Sequence, residues 1–253
     1  GNAPVECICE THCEQEAVNP DCPVCSAEDA DLSACKGTEQ AMLLMAAAAN
    51  TEETISGEVT WNNQTFTTPV KLTGDTTLTL KGDNKIECDA PLDLNNCNLT
   101  VKGTGTLTVV GNGRNDNRVC NGAIFDSVYK GTNSGAGTLS LEGGTVTARG
   151  GDYNAISVYS VKLQGGKLEA YGGSRACIVC SYLYTYGGSL YATGDVYGIE
   201  VRTVYAFNPG NLPILASDEK DASVAEMDAG DIGDLEDNAK KKTYYIGEVT
   251  CSR

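Results

Sequence analysis

The chain has 253 residues, including 12 cysteines and 29 glycines, and carries a formal net charge of −16. Because nucleic-acid phosphates repel so acidic a protein, we expect no nucleic-acid partner. No apolar stretch approaches the ~20 residues of a membrane-spanning helix, so we expect no transmembrane segment either. The many thiols suit an oxidising exterior better than the cytosol, which favours an extracellular or cell-surface location.

Residues 1–37 are predicted to form a separate Cys-rich module. This segment holds few large apolar side chains, so it needs cross-links or a metal ion to fold. Its six cysteines are Cys7, Cys9, Cys13, Cys22, Cys25 and Cys35. The even number and the expected compartment favour disulfides among these six residues, in a pairing that the sequence leaves open. A zinc site built from Cys7, Cys9, His12 and the Cys22-Pro-Val-Cys25 segment is the weaker alternative.

Residues 38–55 are predicted to form a capping helix and a short linker. The helical part, which extends to residue 50, is rich in Ala, Leu and Met, and Thr38 is a suitable N-cap. The end of a stack of strands exposes apolar side chains and unpaired backbone groups. We therefore expect Met42, Leu43 and Met45 to cover the first turn of the fold that follows.

From Ile55 onward, apolar and polar residues alternate, as they do in half-buried β-strands. The apolar members of this alternation include Val70/Leu72, Leu78/Leu80, Leu92/Leu94, Leu99/Val101 and Leu107/Val109. The separations from Leu78 to Leu99 and from Ile86 to Leu107 are both 21 residues. This spacing predicts that the two members of each pair stack on neighbouring strands.

A 22-residue repeat is clearest between residues 139 and 203. Glycine pairs recur at Gly143-Gly144, Gly165-Gly166 and Gly187-Gly188. A period in the low twenties indicates a stacked solenoid, and strand alternation between the glycine turns indicates a parallel β-helix. Ile124 is predicted to stack on Ile156, and residues 131–137 to form an inserted loop. We predict an all-β, right-handed parallel β-helix of about seven rungs over residues 56–208.

Residues 209–253 are predicted to form an acidic loop and a C-terminal closing strand. The loop covers residues 218–237, where Asp228, Asp231 and Asp234 are evenly spaced. This spacing leaves calcium binding open, but the ligand order of an EF-hand is absent, and we otherwise expect no metal or cofactor. The closing strand is predicted over residues 243–246.

The repeat residues resemble those of a known family. The recurring form Leu-x-(Leu/Tyr)-x-Gly-Gly-x-(Val/Leu)-x-Ala resembles bacterial extracellular right-handed β-helix proteins described as carbohydrate-binding domains. The segment around Cys22-Pro-Val-Cys25 is similar to Cys-rich surface proteins of gut Firmicutes. The resemblance implies an exported protein whose partner is a polysaccharide or surface glycan, and some members of the group are associated with polygalacturonate and calcium.

Several classes of function remain open from the sequence. Right-handed β-helices include pectate lyases and polygalacturonases, so a polysaccharide lyase or hydrolase is one alternative. Hydrolysis of a glycosidic bond requires two carboxylates that face one groove, and the outward columns of the repeat show no such pair. We therefore expect no catalytic residue. The sequence favours a non-enzymatic module, glycan-binding or adhesin-like, over an enzyme or a purely structural surface stalk.

Tyrosines mark the expected ligand-binding surface. Tyr184 and Tyr186 replace small or charged residues of the earlier repeats, Tyr191 follows Glu169 in its column, and Tyr171 lies on the rung before. A tyrosine ring can stack on a sugar while its hydroxyl forms a hydrogen bond. We predict that the four tyrosines, with Glu169, share one outward surface on two adjoining strands. The alternative is that these rings simply pack on neighbouring strands.

Overall fold

The computed structural model describes residues 52–111, 122–129, 137–172, 176–230 and 241–248, and for residues 202–205 it describes the backbone alone. The Cys-rich module predicted for residues 1–37 and the helix predicted for residues 38–50 lie outside this part of the chain. The described residues fold into an all-β parallel β-solenoid of about six turns. The prediction of a stacked parallel β architecture is therefore confirmed.

Two sheets contain all the strands of the described residues. Ten of these strands form the first sheet: β1 (Glu53–Asn62), β3 (Val70–Lys81), β5 (Leu92–Asp93), β6 (Leu99–Gly103), β8 (Gly122–Phe125), β9 (Thr138–Leu141), β11 (Asn154–Ser157), β12 (Ser160–Leu163), β14 (Ala176–Thr185) and β16 (Tyr197–Phe207). Nine of them form the second sheet: β2 (Thr65–Phe66), β4 (Asp83–Cys88), β7 (Thr106–Gly111), β10 (Thr145–Arg149), β13 (Lys167–Tyr171), β15 (Ser189–Thr193), β17 (Ile214–Ser217), β18 (Asp228–Ala229) and β19 (Thr243–Ile246).

Each turn of the solenoid has three faces. The first sheet forms two of them, because its long strands extend over both, and the second sheet forms the third. The first half of β14 pairs with β11, and its second half pairs with β12. We call the face of β5, β8 and β11 the first face and the face of β6, β9 and β12 the second face. The third face consists of β2, β4, β7, β10, β13 and β15, which belong to the second sheet. Strands that follow one another in sequence thus lie on different faces.

The core consists of rows of inward side chains that stack from turn to turn. On the third face, Val146, Leu168 and Leu190 form one such row, and all three are completely buried. On the first face, Ile124 pairs with Ile156 as predicted. Burial of a large aliphatic side chain contributes ~1.5–3 kcal/mol, so these rows are the main source of stability.

The predicted stacking of the early turns is wrong by two positions. Leu107 lies beside Asn84 and not beside Ile86, and Leu78 pairs with Val101 and not with Leu99. Asn84 points inward and is only 2 % exposed. Its side-chain amide donates hydrogen bonds to the carbonyl oxygens of Lys81 and Thr106, which satisfies the buried polar group. An inward polar residue of this kind breaks the apolar alternation on which the prediction depended.

One turn is longer than the others, which explains why the predicted number of about seven rungs exceeds the observed six turns. Val146 pairs with Leu168 on the following turn, and the two are separated in sequence by the length of the glycine repeat. Its partner on the preceding turn is Leu107, which is much farther away in the sequence. The additional residues of the long turn fall between β7 and β9. Division of the chain by a uniform repeat length therefore overestimates the number of turns.

The glycine pairs allow successive turns to approach one another closely. A Cβ atom at Gly166 would lie 2.5 Å from the carbonyl oxygen of Gly144, and Gly188 bears the same relation to Gly166. Gly166 also has a φ of +69°, a conformation that other residues rarely adopt. The regular period of the glycines is therefore a steric requirement of stacking.

The predicted closing strand is present as β19, which pairs antiparallel with β15 at the end of the third face. β17 pairs antiparallel with β19, and β18 with β17, so the C-terminal segment extends this sheet beyond the last turn. The segment predicted as an acidic loop contains β18 and a 3-10 turn at Val224–Glu226. Of the three evenly spaced aspartates, only Asp228 lies within the described residues.

Candidate functional site

The structure separates the predicted ligand-binding tyrosines into two groups. Tyr184 belongs to β14 on the second face and Tyr186 follows it, whereas Tyr171 and Tyr191 belong to β13 and β15 on the third face. The expectation that all four rings share one surface is therefore wrong. The cause is the three-sided shape of the solenoid, because β14 and β15 are consecutive in sequence but lie on different faces.

The tyrosines of the third face are engaged by other parts of the protein. The rings of Tyr171 and Tyr191 lie 5.6 Å apart, and the guanidinium of Arg149 is 4.4 Å from the centre of the Tyr171 ring. The Tyr191 hydroxyl donates a hydrogen bond to the carbonyl oxygen of Ala222. Burial raises the pKa of Tyr191 to about 12 and also raises the pKa of Tyr171.

Glu169 is also engaged. Its carboxylate accepts a hydrogen bond from the Thr147 hydroxyl at 3.2 Å and forms an ion pair with Lys167. The hydrogen bond to Glu169 is the main cause of the raised pKa of Lys167. A carboxylate held in this way is an integral part of the surface ladder of the third face, and it is less available to a ligand than an unpaired group would be.

On the second face, four aromatic rings form a cluster that we call the aromatic platform: Tyr182, Tyr184, Tyr186 and Phe207. Tyr184 is at its centre. The rings of Tyr182, Tyr186 and Phe207 lie 6.1, 6.2 and 5.4 Å from it, with their planes within 10° of its plane. Tyr186 is 49 % exposed and Phe207 is 44 % exposed. Parallel rings that are so accessible offer apolar surface to a partner in solution.

A groove lies at the open end of the aromatic platform. It has a volume of about 410 Å³ and is lined by Tyr184, Tyr186, Phe207, Asn208 and Pro209. This volume is within the range of small-molecule sites, ~300–1,000 Å³. The ammonium group of Lys162 on β12 lies 5.8 Å from the centre of the Tyr184 ring, so a positive charge borders the same surface.

The rim of the groove is held in place by Asn208. Its side-chain oxygen accepts hydrogen bonds from the Thr185 hydroxyl at 2.9 Å and from the Leu212 backbone at 3.0 Å. Its amide donates to the carbonyl oxygen of Leu212 at 2.7 Å. These three bonds close the loop after β16 and fix Pro209 beside the aromatic rings. A rim that is already ordered does not lose further entropy when a ligand binds.

Two further tyrosines connect the aromatic platform with the first face. The Tyr159 ring lies 5.3 Å from the Tyr182 ring at an angle of 67°, and a hydrogen bond with Tyr182 raises the pKa of Tyr159. The buried Tyr129 ring lies 6.2 Å from Tyr159. Tyr129 also packs in one buried cluster with Ala176 and Val179 of β14, and Tyr159 lies against this cluster. The aromatic platform thus adjoins a packed cluster and is supported by it.

Sequence reasoning found Tyr184 and Tyr186 but missed Tyr182 and Phe207. Tyr182 could have been found from the sequence, because it lies two residues before Tyr184 and so points to the same side of the strand. Phe207 could not be found in this way, because β16 contains a bulge. Between the residues that pair with Cys180 and Tyr182, β16 has two residues more than β14. This irregularity places Phe207 beside Tyr184, two positions beyond the residue that the pairing of Cys180 with Val201 would predict.

No cluster of three or more His, Cys, Asp or Glu side chains suited to a metal ion occurs within the described residues. In the same residues, no helix has the length and hydropathy required to cross a bilayer. No protein-family model matches the chain, and no curated protein or solved structure is significantly similar to it. The geometry of the aromatic platform is thus the main guide to function.

Proposed function

We propose that this chain is a non-enzymatic, extracellular or cell-surface module that binds a glycan on the aromatic platform. The observation that carries the proposal is the exposure of Tyr186 and Phe207 beside the parallel ring of Tyr184. Sugar rings have apolar C–H faces and polar rims, so they suit a surface that combines aromatic rings with phenol hydroxyls.

The surroundings of the groove also favour a binding role. The ordered rim around Asn208 and the support of Tyr182 by Tyr159 hold the rings in place before a ligand arrives. Preorganisation of this kind increases affinity because little order must be created on binding. On the third face, Glu169 is held by Lys167 and Thr147, so it is poorly placed to act as one of the two carboxylates of a glycosidase.

The proposal can be tested on a glycan array followed by calorimetry with the glycans that bind. We expect the double variant Tyr186→Ala/Phe207→Ala to lose at least about tenfold in affinity, which corresponds to about 1.4 kcal/mol. Both side chains are exposed, so the thermal unfolding midpoint should change little. Tyr171→Ala is the matched control, because it removes a tyrosine from the third face and should leave binding unchanged. Full binding by the double variant would refute the proposal.

A further inference from the structure

The aromatic platform has a direction, because three of its four rings come from one stretch of chain. Tyr182 and Tyr184 alternate along β14, and Tyr186 continues the alternation directly after the strand. Their ring centres are 6.1 and 6.2 Å apart, and the ring planes differ by 8° and 10°. Alternate residues of a strand lie in a line on one side of the sheet. The three rings therefore form a row that runs parallel to the strands and across the solenoid axis.

On the β12 side of β14, the neighbouring strands do not continue the aromatic surface along the solenoid axis. Tyr184 pairs with Lys162 of β12, and Lys162 pairs with Ser140 of β9. On this side, the strand next to β14 thus has a charged side chain in place of the aromatic ring, and the strand after it has a hydroxyl. On the other side, Phe207 of β16 adds a single ring beside Tyr184. Among the described side chains, three parallel rings in a line therefore occur only along β14.

The two ends of the row differ. At one end Tyr159 is inclined by 67° to Tyr182, so the series of parallel rings stops there. At the other end, Tyr186, Phe207 and Pro209 line the open groove. The row consequently offers positions over three parallel rings, with the most accessible surface at the Tyr186 end.

We infer that the glycan is an extended, β-1,4-linked chain that lies along β14 and occupies three successive subsites over Tyr182, Tyr184 and Tyr186. This inference rests on the proposed function of the aromatic platform. An extended chain keeps successive sugar rings in a line, so several of them meet aromatic rings at once. An α-1,4-linked glucan curls away from a straight row and meets fewer rings.

The test is calorimetry with cello-, xylo- and manno-oligosaccharides of one to six units, with malto-oligosaccharides for comparison. In at least one β-1,4 series, affinity should rise up to three units and then level off. Tyr182→Ala should lower the affinity for the trisaccharide about tenfold, a loss equivalent to about 1.4 kcal/mol, and leave the disaccharide nearly unaffected. Tyr182→Phe should retain most of the affinity, since it keeps the ring.

Several outcomes would overturn the inference. These are failure of all three β-1,4 series to bind, affinity that no longer rises beyond one unit, and an unchanged affinity for the trisaccharide in Tyr182→Ala. The chain-length dependence is measured on the unaltered protein, so it does not depend on the folding of any variant. If an array signal depends on Tyr186 and Phe207 but no β-1,4 series binds, the inference fails and the proposed function stands. If no glycan binds at all, both fail.

Discussion

The hydroxyl of Tyr191 donates a hydrogen bond to the carbonyl oxygen of Ala222, 3.2 Å away. The two residues belong to the last turn of the third face and to the segment between β17 and β18. The same segment is tied to Thr193, whose hydroxyl accepts a hydrogen bond from the Asp221 backbone. Tyr191 is thus part of the contact that holds the C-terminal segment against the solenoid, and its pKa makes this contact testable by titration.

We expect the free energy of unfolding to fall with rising pH in the alkaline range, and Tyr191→Phe to reduce this fall. Burial raises the pKa of Tyr191 to about 12, whereas an unfolded tyrosine has a pKa of about 10. The unfolded chain therefore releases the proton first. The stability contributed by the protonated Tyr191 is complete below about pH 10 and is lost between about pH 10 and pH 12. Urea unfolding at a series of pH values measures this slope.

The matched control for Tyr191→Phe is Tyr186→Phe, which removes the hydroxyl of an exposed ring on the second face. It should leave the pH dependence of unfolding close to that of the unaltered protein. An equal change in the two variants would show that the contact with Ala222 is not the origin of the effect.

Gly166→Ala should destabilise the protein more than Gly57→Ala. Both glycines have a positive φ, +69° and +71°, so each substitution has a conformational cost of ~1–2 kcal/mol. At Gly57 a Cβ atom meets nothing within 4 Å, whereas at Gly166 it would lie 2.5 Å from the carbonyl oxygen of Gly144. The excess loss in Gly166→Ala, measured by urea denaturation, reports the close stacking of turns. Equal losses would contradict this account of the glycine repeat.

The six cysteines between positions 7 and 35 should all be blocked in disulfides, with no bound zinc. Mass spectrometry of the unreduced protein after alkylation is the measurement, and stoichiometric zinc in purified protein would contradict it. Cys177 and Cys180 are an internal comparison, because they are free, buried and have pKa values raised by burial to about 12. Their thiols should react only after unfolding, since the thiolate is the reactive form.

We expect no turnover of polygalacturonate or of neutral glucans. The Glu169 carboxylate is held by Lys167 and Thr147, and Asp195 forms an ion pair with Lys220. Release of reducing sugar and absorbance of unsaturated products are the assays. A rate that disappears in Glu169→Gln or Asp195→Asn would show that the module is an enzyme.

The sequence by itself determined the parallel solenoid, the apolar side chains that point inward from its strands and the positions of the glycine turns. Alternation within a strand and a fixed spacing of glycines are local properties, and a repeating chain can bury its apolar side chains only by stacking its turns. The pairing of Ile124 with Ile156 and the closing strand β19 follow from the same local patterns. Tyr184 and Tyr186 were recognisable because their outward positions follow from alternation along one strand.

The tertiary structure decided which residues of different turns meet. Asn84 occupies an inward position because its amide finds carbonyl partners in adjacent turns, and such partners cannot be recognised from alternation. The corner between β14 and β15 places Tyr191 on a different face from Tyr184. The two additional residues of β16 place Phe207 beside Tyr184. Pairing between turns depends on the number of residues in every corner and bulge, so a one- or two-residue irregularity changes the site while the periodic core stays the same.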